Sequence, residues 1–169
     1  NTLQTLADTA LQRGNLDRAD TLADQARALH HTIGNLIGEA NSLQTRAHTA
    51  RQRGDLDRAD AFASRARALY HTTGDRIGEA NSLQTLAVTA RQRGALDRAD
   101  TLADQARALY HLTENGIGEA NTLQILARTA RERGDTRTGR RLLEAAASLY
   151  EQIGLDRHAA SCRQLLQEW

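Results

Sequence analysis

Residues 78–111, GEANSLQTLAVTARQRGALDRADTLADQARALYH, decide the fold of this chain because the same stretch recurs every 40 residues. Residues 41–80 and 81–120 are identical at 29 of 40 positions. One leucine and one glycine position recur in all four copies, at Leu3, Leu43, Leu83 and Leu123, and at Gly14, Gly54, Gly94 and Gly134. A fixed period of this size is typical of a stacked-repeat protein, in which each unit packs on the next.

Each copy is predicted to contain two amphipathic helices. The first spans residues 76–93, and its apolar residues follow the i, i+3, i+4, i+7 spacing of one buried helix face: Leu83, Leu86, Ala87 and Ala90. The second spans residues 96–112, where leucine and alanine again share one face. Because only two or three residues join them, the helices must be antiparallel neighbours. Neither buries its apolar face alone, so stacked pairs must share a core of leucine and alanine.

Polar residues and glycines mark the ends of these helices. Asp75 is a predicted N-cap, and Glu79 lies in the first turn, where a negative charge suits the helix dipole. Gly94 follows the helix as a C-terminal stop. Asp55 is predicted to cap the second helix of its repeat. Ala95, at the equivalent position in the next repeat, has no side-chain acceptor, which costs about 1 kcal/mol.

The pattern of small and large residues resembles the tetratricopeptide (TPR) repeat. Counting Ala80 as position 1, leucine occupies positions 4, 7 and 17, alanine positions 8, 20, 24 and 27, and glycine position 15. The family's usual tyrosine at position 11 and proline at position 32 are missing, and the period is 40 instead of 34. The match covers residues 1–152. In its period it resembles the longer TPR arrays of G-protein-signalling adaptors and of bacterial signalling ATPases (STAND-type regulators) or transcription regulators.

The predicted fold is therefore all-α: an α-solenoid of four TPR-like helix–turn–helix repeats with a C-terminal capping helix. The expected units are residues 1–34, 35–74, 75–114 and 115–154, and the cap at 155–169. Because Asn1 aligns with the middle of the repeat, we expect a chain cut from a longer protein, with repeat 1 N-terminally truncated.

The last repeat and the tail depart from the pattern. Gly139 stands where the other repeats have alanine, and glycine inside a helix costs roughly 1 kcal/mol against alanine. The tail, residues 156–168 with the terminal Trp169, has one apolar stripe. It is formed by Ala159, Cys162, Leu166 and Trp169. This stripe predicts a capping helix that covers the last core face, with Trp169 as a packing residue.

Composition narrows the function classes. The chain has 22 arginines, no lysine and 21 acidic residues, so its net charge of +1 gives no global reason to expect nucleic-acid or membrane binding. No apolar run approaches the ~20 residues that span a bilayer. Cys162 is the single cysteine, which excludes an internal disulfide and fits a reducing, cytoplasmic compartment.

The face of each first helix opposite its apolar face is the predicted binding surface. In TPR proteins, as the resemblance implies, this stripe lines the concave groove. In repeats 2 to 4 its four rows are Asn41, Asn81 and Asn121; Gln44, Gln84 and Gln124; His48, Val88 and Arg128; and Arg51, Arg91 and Arg131. Repeat 1 contributes Asn1, Gln4, Asp8 and Leu11.

Each row has its own chemistry. Amide side chains both donate to and accept from a peptide backbone, so the asparagine and glutamine rows suit an extended chain. The arginine row suits carboxylates through bidentate pairing. The row of His48, Val88 and Arg128 varies most and is expected to set side-chain preference. Two simpler explanations stay open: a polar helix face is often only solvated, and recent duplication alone keeps repeats similar.

Other candidate residues have simpler interpretations. Arg46 occupies a position that is leucine in the other repeats, and it is expected to snorkel to solvent; the alternative is an inward-facing specificity residue. The recurring histidines His31, His71 and His111 would lie roughly 10 Å apart, too far to share a metal. Nothing in the sequence indicates a phosphate loop, a catalytic triad, a cofactor or a metal site, so no enzyme activity is predicted.

The sequence thus favours a non-catalytic scaffold or adaptor module for signalling. Its first helices would form a concave groove that binds a peptide or partner domain, which we expect to be acidic; another domain of the same parent protein is one such partner. The alternative is a ligand-sensing regulatory domain of a larger signalling ATPase or transcription regulator. RNA binding along the arginine row is a third hypothesis, which the balanced charge argues against. The repeated surfaces also allow head-to-tail self-association.

Overall fold

Nine α-helices account for most of residues 2–169, the part of the chain that the computed structural model describes. Their bounds are α1 Thr2–Gln12, α2 Leu16–Thr32, α3 Leu36–Gln52, α4 Leu56–Thr73, α5 Arg76–Gln92, α6 Leu96–Leu112, α7 Gly116–Glu132, α8 Thr136–Gln152 and α9 Asp156–Gln167. Connections of two or three residues make consecutive helices antiparallel neighbours. Within residues 2–169, no helix is long and apolar enough to cross a membrane.

The helices stack as a curved solenoid. Each helix packs against the next one along the chain, and the first helices of successive repeats also contact one another: α1 with α3, α3 with α5, and α5 with α7. The second helices α2, α4, α6 and α8 make no such contacts with one another in the described part of the chain. The first helices therefore line the inner, concave side, and the second helices lie further apart on the convex side. The predicted all-α solenoid with a capping helix is confirmed.

Small residues form the interior. In α5 and α6 the alanines at the predicted core positions are completely or almost completely buried, and so is Leu83. Ala47 and Ala63 of the preceding repeat and Leu126 of the following one join the same cluster. Alanine lets helix axes approach closely, so the core runs continuously from one repeat to the next.

Side-chain caps begin the helices where they are expected. Asp75 accepts a hydrogen bond from the backbone N–H of Gly78 at 2.8 Å, and Asp55 accepts one from that of Arg58 at 3.1 Å. Ala95 begins α6 with no side-chain hydrogen bond. At the other end of α5, Gly94 adopts a φ of +76°, a left-handed conformation that glycine tolerates without strain.

In α4 and in α6, a tyrosine ring packs between two first helices. The ring of Tyr70 in α4 lies against Gly78 of α5, and its hydroxyl donates to the side-chain oxygen of Asn41 in α3 at 2.6 Å. A Cβ added at Gly78 would lie 2.3 Å from Tyr70 Cδ1. Tyr110 makes the same pair of contacts with Gly118 and Asn81. The glycine of the IGEA segment, Gly78 or Gly118, is therefore required by a close aromatic contact.

Ion pairs join the turn of each repeat to the preceding second helix. Arg93 Nη2 lies 2.5 Å from Asp57 Oδ1, and Arg93 Nη1 lies 3.5 Å from Asp60 Oδ2. The equivalent pairs are Arg53 with Asp17 and Asp20, and Arg133 with Asp97 and Asp100. Because one aspartate of each set is almost fully exposed to water, these ion pairs contribute little to stability.

The capping helix closes the C-terminal end. Ala159 and Cys162 of α9 are fully buried against α8, as the stripe predicted. Trp169 lies beyond the end of α9 and packs on the same cluster. Gly139 has a different role from the one expected. A Cβ there would lie 2.9 Å from the carbonyl oxygen of Ala127 and 3.1 Å from Trp169 Cζ3, so glycine makes room for the neighbouring helix and the tryptophan.

We expect Gly78→Ala to lower the free energy of unfolding by about 1–3 kcal/mol, because the new methyl group overlaps the Tyr70 ring. At a helix position without such a neighbour, the same change raises stability by up to about 1 kcal/mol. Chemical denaturation measures whether Gly78→Ala lowers or raises the free energy of unfolding. A double-mutant cycle with Tyr70→Ala is the control: the cost should shrink once the ring is gone, and a cost that stayed unchanged would contradict the steric explanation.

Ala95→Asp should stabilise the protein by about 1 kcal/mol, because it supplies α6 with the side-chain acceptor that Asp55 gives α4. Thermal unfolding of Ala95→Asp, Ala95→Ser and Ala95→Leu separates capping from other effects. The first two should raise the melting temperature and the third should not. Equal melting temperatures for all three would show that this helix end needs no cap.

Candidate functional site

A cavity of about 290 Å³ lies on the concave side between α3, α5 and α7. Thr85 and Ile125 form part of its wall. The rest of the wall consists of eight of the twelve predicted groove residues: His48, Arg51, Gln84, Val88, Arg91, Asn121, Gln124 and Arg128. The structure thus brings most of the predicted side chains together. Asn41, Gln44, Asn81 and Arg131 lie outside this cavity, and Asn1 lies outside the described residues.

A second cavity, of about 440 Å³, continues the groove towards the capping helix. It shares Arg91 and Arg128 with the first cavity, and Arg131 lines it too. Its far wall includes Leu165 and Trp169. The sequence interpretation treated Trp169 only as a packing residue and missed that the tail contributes to the groove. The 40-residue repeat offers no signal for this, since the tail lies after the last repeat.

The asparagine row is oriented by tyrosines. Tyr110 and Tyr150 donate their hydroxyl hydrogens to the side-chain oxygens of Asn81 and Asn121, at 2.6 and 2.5 Å. Burial raises the pKa of both hydroxyls above their usual range, so they remain protonated donors at neutral pH. With the oxygen occupied, each amide keeps its NH₂ group for another acceptor. The asparagines can therefore donate hydrogen bonds to a ligand.

The glutamine row connects neighbouring repeats. Gln44 Nε2 donates to Thr85 Oγ1 at 2.7 Å, and Gln44 Oε1 accepts from Ser82 Oγ at 3.0 Å. Gln84 Nε2 donates to Thr122 Oγ1 of the following repeat at 3.1 Å. Gln124 donates to the hydroxyl of Tyr150 at 2.8 Å. Gln44 and Gln84 thus hold one repeat to the next, whereas Gln124 joins the two helices of its own repeat. A polar row in the sequence does not reveal these contacts.

The arginine row concentrates positive charge. The Nε atoms of Arg51 and Arg91 are buried and have no hydrogen-bond partner within residues 2–169. Burial lowers the pKa of Arg51, and the positive charge of Arg91 lowers it further. Arg91 also forms an ion pair with Glu132, and the Arg131 guanidinium lies 4.8 Å from the centre of the Trp169 ring. The two adjacent guanidinium groups thus repel each other and would be relieved by an anion.

The charge of the side chains in the variable row changes from acidic at the N-terminal end of the groove to basic at the C-terminal end. Asp8 accepts from Thr45 Oγ1 at 2.8 Å at the N-terminal end. Burial and, to a smaller extent, the positive charge of Arg51 together lower the pKa of His48 to about 4, although Asp8 opposes the shift. His48 is therefore neutral at pH 7, which agrees with its ring Nε2 lying 3.2 Å from the Gln44 amide nitrogen. Val88 follows, and then the exposed Arg128, which forms no ion pair within the described residues.

Arg46 neither snorkels to solvent nor faces the groove. Its side chain is 13% exposed, and its Nε donates to Asp20 at 2.9 Å while Nη1 pairs with Asp24. The guanidinium carbon lies 4.4 Å from the centre of the Phe62 ring. A buried charge is tolerated when it is paired and hydrogen-bonded, as it is here. The sequence prediction missed Asp20 and Asp24 because they belong to the preceding repeat.

The recurring histidines bind acidic side chains instead of one another. His31 Nδ1 lies 3.0 Å from Glu39 Oε2, and His71 Nδ1 lies 3.0 Å from Glu79 Oε2. His111 approaches Glu119 at 3.4 Å. Each pair bridges the end of a second helix to the start of the next first helix. Among residues 2–169, no three histidine, cysteine or acidic side chains are grouped as a metal site would require.

The comparisons with known proteins support the fold. No protein-family model and no curated protein matches the sequence. Two crystal structures of a candidate kinesin light chain from Podosopora anserina with nearly identical TPR-like repeats, one of them a substituted variant, superpose with TM-scores of 0.71 and 0.72 at 20% identity. The match covers 99% of this chain and 89% of that one. BtubC (BKLC) from P. vanneervenii superposes with a TM-score of 0.74 at 16% identity, over 98% of this chain and 77% of its own. The chain thus has a TPR-like solenoid fold.

Because the pKa of His48 is about 4 in the folded protein and about 6.5 in an unfolded chain, acid should destabilise the protein through this residue. Between these values the unfolded chain binds a proton that folded His48 lacks, so the free energy of unfolding falls as the pH decreases. At pH 4.5 the loss relative to pH 7 should reach about 2 kcal/mol. Urea unfolding of the native chain and of His48→Gln at both pH values measures it.

The variant should lose less stability on acidification than the native chain does, because glutamine does not titrate. His111→Gln is the matched control, since that imidazole is exposed and lies outside the groove. It should keep the acid sensitivity that His48 confers. Equal acid sensitivity in the native chain and His48→Gln would contradict the assignment.

Proposed function

We propose that the chain is a non-catalytic protein-interaction module whose concave groove binds an acidic segment of a partner protein. The likeness to TPR-like solenoids supports an interaction scaffold in general. One observation supports the acidic segment in particular: Arg51 and Arg91 line one cavity, and their Nε atoms are buried without hydrogen-bond partners in residues 2–169. A buried donor without an acceptor costs roughly 1–3 kcal/mol, which a ligand oxygen would recover.

A carboxylate is the ligand group that fits best. Its two oxygens match the fork of nitrogen donors on a guanidinium group, and they would also offset the repulsion between Arg51 and Arg91. Arg128 lines both cavities without an ion pair in the described residues, so it can hold a second carboxylate. Glu132 is the one acidic residue that lines either cavity, and it pairs with Arg91. The groove is therefore short of negative charge.

The same groove has donors for a peptide backbone. The NH₂ group of Asn121 is available in the cavity wall because Tyr150 occupies the amide oxygen. Asn41 and Asn81 repeat this arrangement along the first helices. A row of amide donors, one from each repeat, suits the carbonyl groups of an extended chain. The arginines would bind the acidic side chains of that chain.

The lining of the first cavity argues against the other two hypotheses. His48 carries the one aromatic ring among its ten residues, and that ring is hydrogen-bonded to Gln44, so the cavity offers no phenylalanine, tyrosine or tryptophan face on which bases of single-stranded RNA would stack. Its volume of about 290 Å³ lies at the lower end of the range for small-molecule sites, which are also mostly apolar. A partner segment that runs along several repeats uses the groove more fully than a small ligand does.

A fluorescein-labelled octaglutamate peptide should bind the chain, as measured by fluorescence anisotropy. Arg51→Gln and Arg128→Gln should each weaken binding by about tenfold, because each removes a charge-assisted hydrogen bond. Octaserine should not bind. Histidine NMR should show the pKa of His48 rising from about 4 when octaglutamate is added, because a nearby carboxylate favours the charged ring.

The matched controls are Arg137→Gln and Arg157→Gln, which remove the same charge at exposed positions outside both cavities. They should leave the affinity within about twofold, since the contribution of isolated surface charges is small. If octaglutamate failed to bind, or if the controls weakened binding as much as the groove variants did, the acidic segment would be the wrong ligand.

A further inference from the structure

A row of exposed isoleucines lies on the concave face beside the asparagine row. Ile37, Ile77 and Ile117 recur at the 40-residue period and are 44%, 42% and 51% exposed. Each lies four residues before the asparagine of its repeat, which is about one helical turn. These three residues form the isoleucine row. A single exposed isoleucine is ordinary, but a row of them on a candidate binding face is typical of an interaction surface.

The burial pattern of α5 places Ile77 on the same face as the groove residues. The side chains of this face follow the spacing i, i+4, i+7, i+11 and i+14, and none of them is fully buried: Ile77, Asn81, Gln84, Val88 and Arg91. Apart from Glu79, the residues between them are all buried. The groove face therefore begins one turn before the asparagine row, at the N-terminal ends of the first helices.

The exposure of the isoleucine row is a property of the repeat itself. Ile77 lies in the middle of the array, and its helix α5 contacts a first helix on each side, α3 and α7. It is nevertheless as exposed as Ile37. The neighbouring repeats thus leave this position open, wherever along the array it occurs.

The groove therefore has two rims of opposite character. Arg91 follows Ile77 by 14 residues on the same helix face, which is about 21 Å along the helix axis. The isoleucine row forms an apolar rim at one side, and the arginine row forms a cationic rim at the other. The asparagine amides, whose NH₂ groups are free because tyrosine hydroxyls occupy their oxygens, lie between the two rims.

An extended chain on this surface has two sides. If its carbonyl groups accept hydrogen bonds from the asparagine amides, its backbone crosses the first helices, and successive side chains point to opposite rims. First helices that pack about 8–10 Å apart place the three isoleucines over about 16–20 Å. Such a length holds about six extended residues, with about three side chains towards each rim.

We propose that the groove selects an extended segment in which acidic and apolar residues alternate, with the apolar side chains packed on Ile37, Ile77 and Ile117. This inference rests on the proposed function, because the acidic side chains of the segment bind the arginine row of the same groove. Carboxylates turned towards the isoleucine row would lose water without gaining a partner. A uniformly acidic segment is therefore a poorer ligand than an alternating one.

A helical segment satisfies the same surface less well. The carbonyl groups of a helix are hydrogen-bonded within the helix, so they offer no acceptors to the asparagine NH₂ groups. Its apolar residues would also follow the i, i+3, i+4 spacing instead of alternating. The two kinds of partner can thus be separated by sequence pattern alone.

Three fluorescein-labelled octapeptides test the proposal by fluorescence anisotropy on the full 169-residue chain: ELELELEL, ELLEELLE and octaglutamate. The first two have the same composition. When extended, ELELELEL has all its leucines on one side, whereas ELLEELLE has leucine and glutamate mixed on both sides. ELELELEL should bind at least about fivefold more tightly than ELLEELLE, because only its leucines can all be buried on the isoleucine row.

Ile77→Ser in the protein should weaken ELELELEL by about fivefold and leave octaglutamate within about twofold. Leu112→Ser is the matched control, because Leu112 is 60% exposed and belongs to α6, on the convex side. It should change neither affinity. Since both positions are exposed, both variants should fold, and circular dichroism checks this.

Three results would overturn the proposal. ELLEELLE binds at least as tightly as ELELELEL, as a helical partner would; or Ile77→Ser leaves the affinity for ELELELEL unchanged; or Ile77→Ser weakens octaglutamate as much as ELELELEL, which would make the isoleucine a support of the groove instead of a ligand contact.

Octaglutamate separates this inference from the proposed function. If octaglutamate binds through Arg51 and Arg128 while ELELELEL gains nothing from the isoleucine row, the alternating pattern alone is wrong. If neither peptide binds, or if the arginine variants change no affinity, the acidic segment itself is the wrong ligand.

Discussion

The packing of the Tyr70 ring on Gly78 is the contact on which the stacking of the repeats depends. Because glycine has no side chain, the next first helix begins directly against the ring. The hydroxyl of the same tyrosine holds the amide of Asn41 in its own repeat. One residue thus fixes the angle between repeats and the direction in which a groove amide donates. The scaffold and the candidate binding surface are therefore built by the same side chain.

The groove changes character along a scaffold that barely changes. At its N-terminal end, Asp8 and the neutral His48 are committed to hydrogen bonds with neighbouring side chains. Towards the C-terminal end, guanidinium groups are crowded together, and Trp169 adds an aromatic wall. Substitution on the inner face leaves the core untouched because the core positions lie on the opposite face of each first helix. Repeats with nearly identical cores can therefore place different side chains along the groove.

The fold could be predicted from the sequence because each helix is specified locally, by apolar spacing, by caps such as Asp75 and by turn glycines such as Gly94. Most of the cavity wall could be predicted too, since one helix face fixes which side chains point inward. The pairing of Arg46 with Asp20 could not, nor could the role of Gly139 beside Trp169. These contacts join separate repeats or the tail, and helical periodicity carries no information about partners in other elements.

The restriction of helix contacts to near neighbours in the chain has a kinetic consequence. In the described part of the chain, no helix contacts another more than two helices away in sequence, and only the concave-side helices reach that far. The contacts are thus of low contact order, and proteins of this kind fold quickly because little loop-closure entropy must be overcome. Folding can begin in any hairpin and spread to its neighbours. Lengthening such an array by further repeats would add stability step by step without adding a slower search for distant partners.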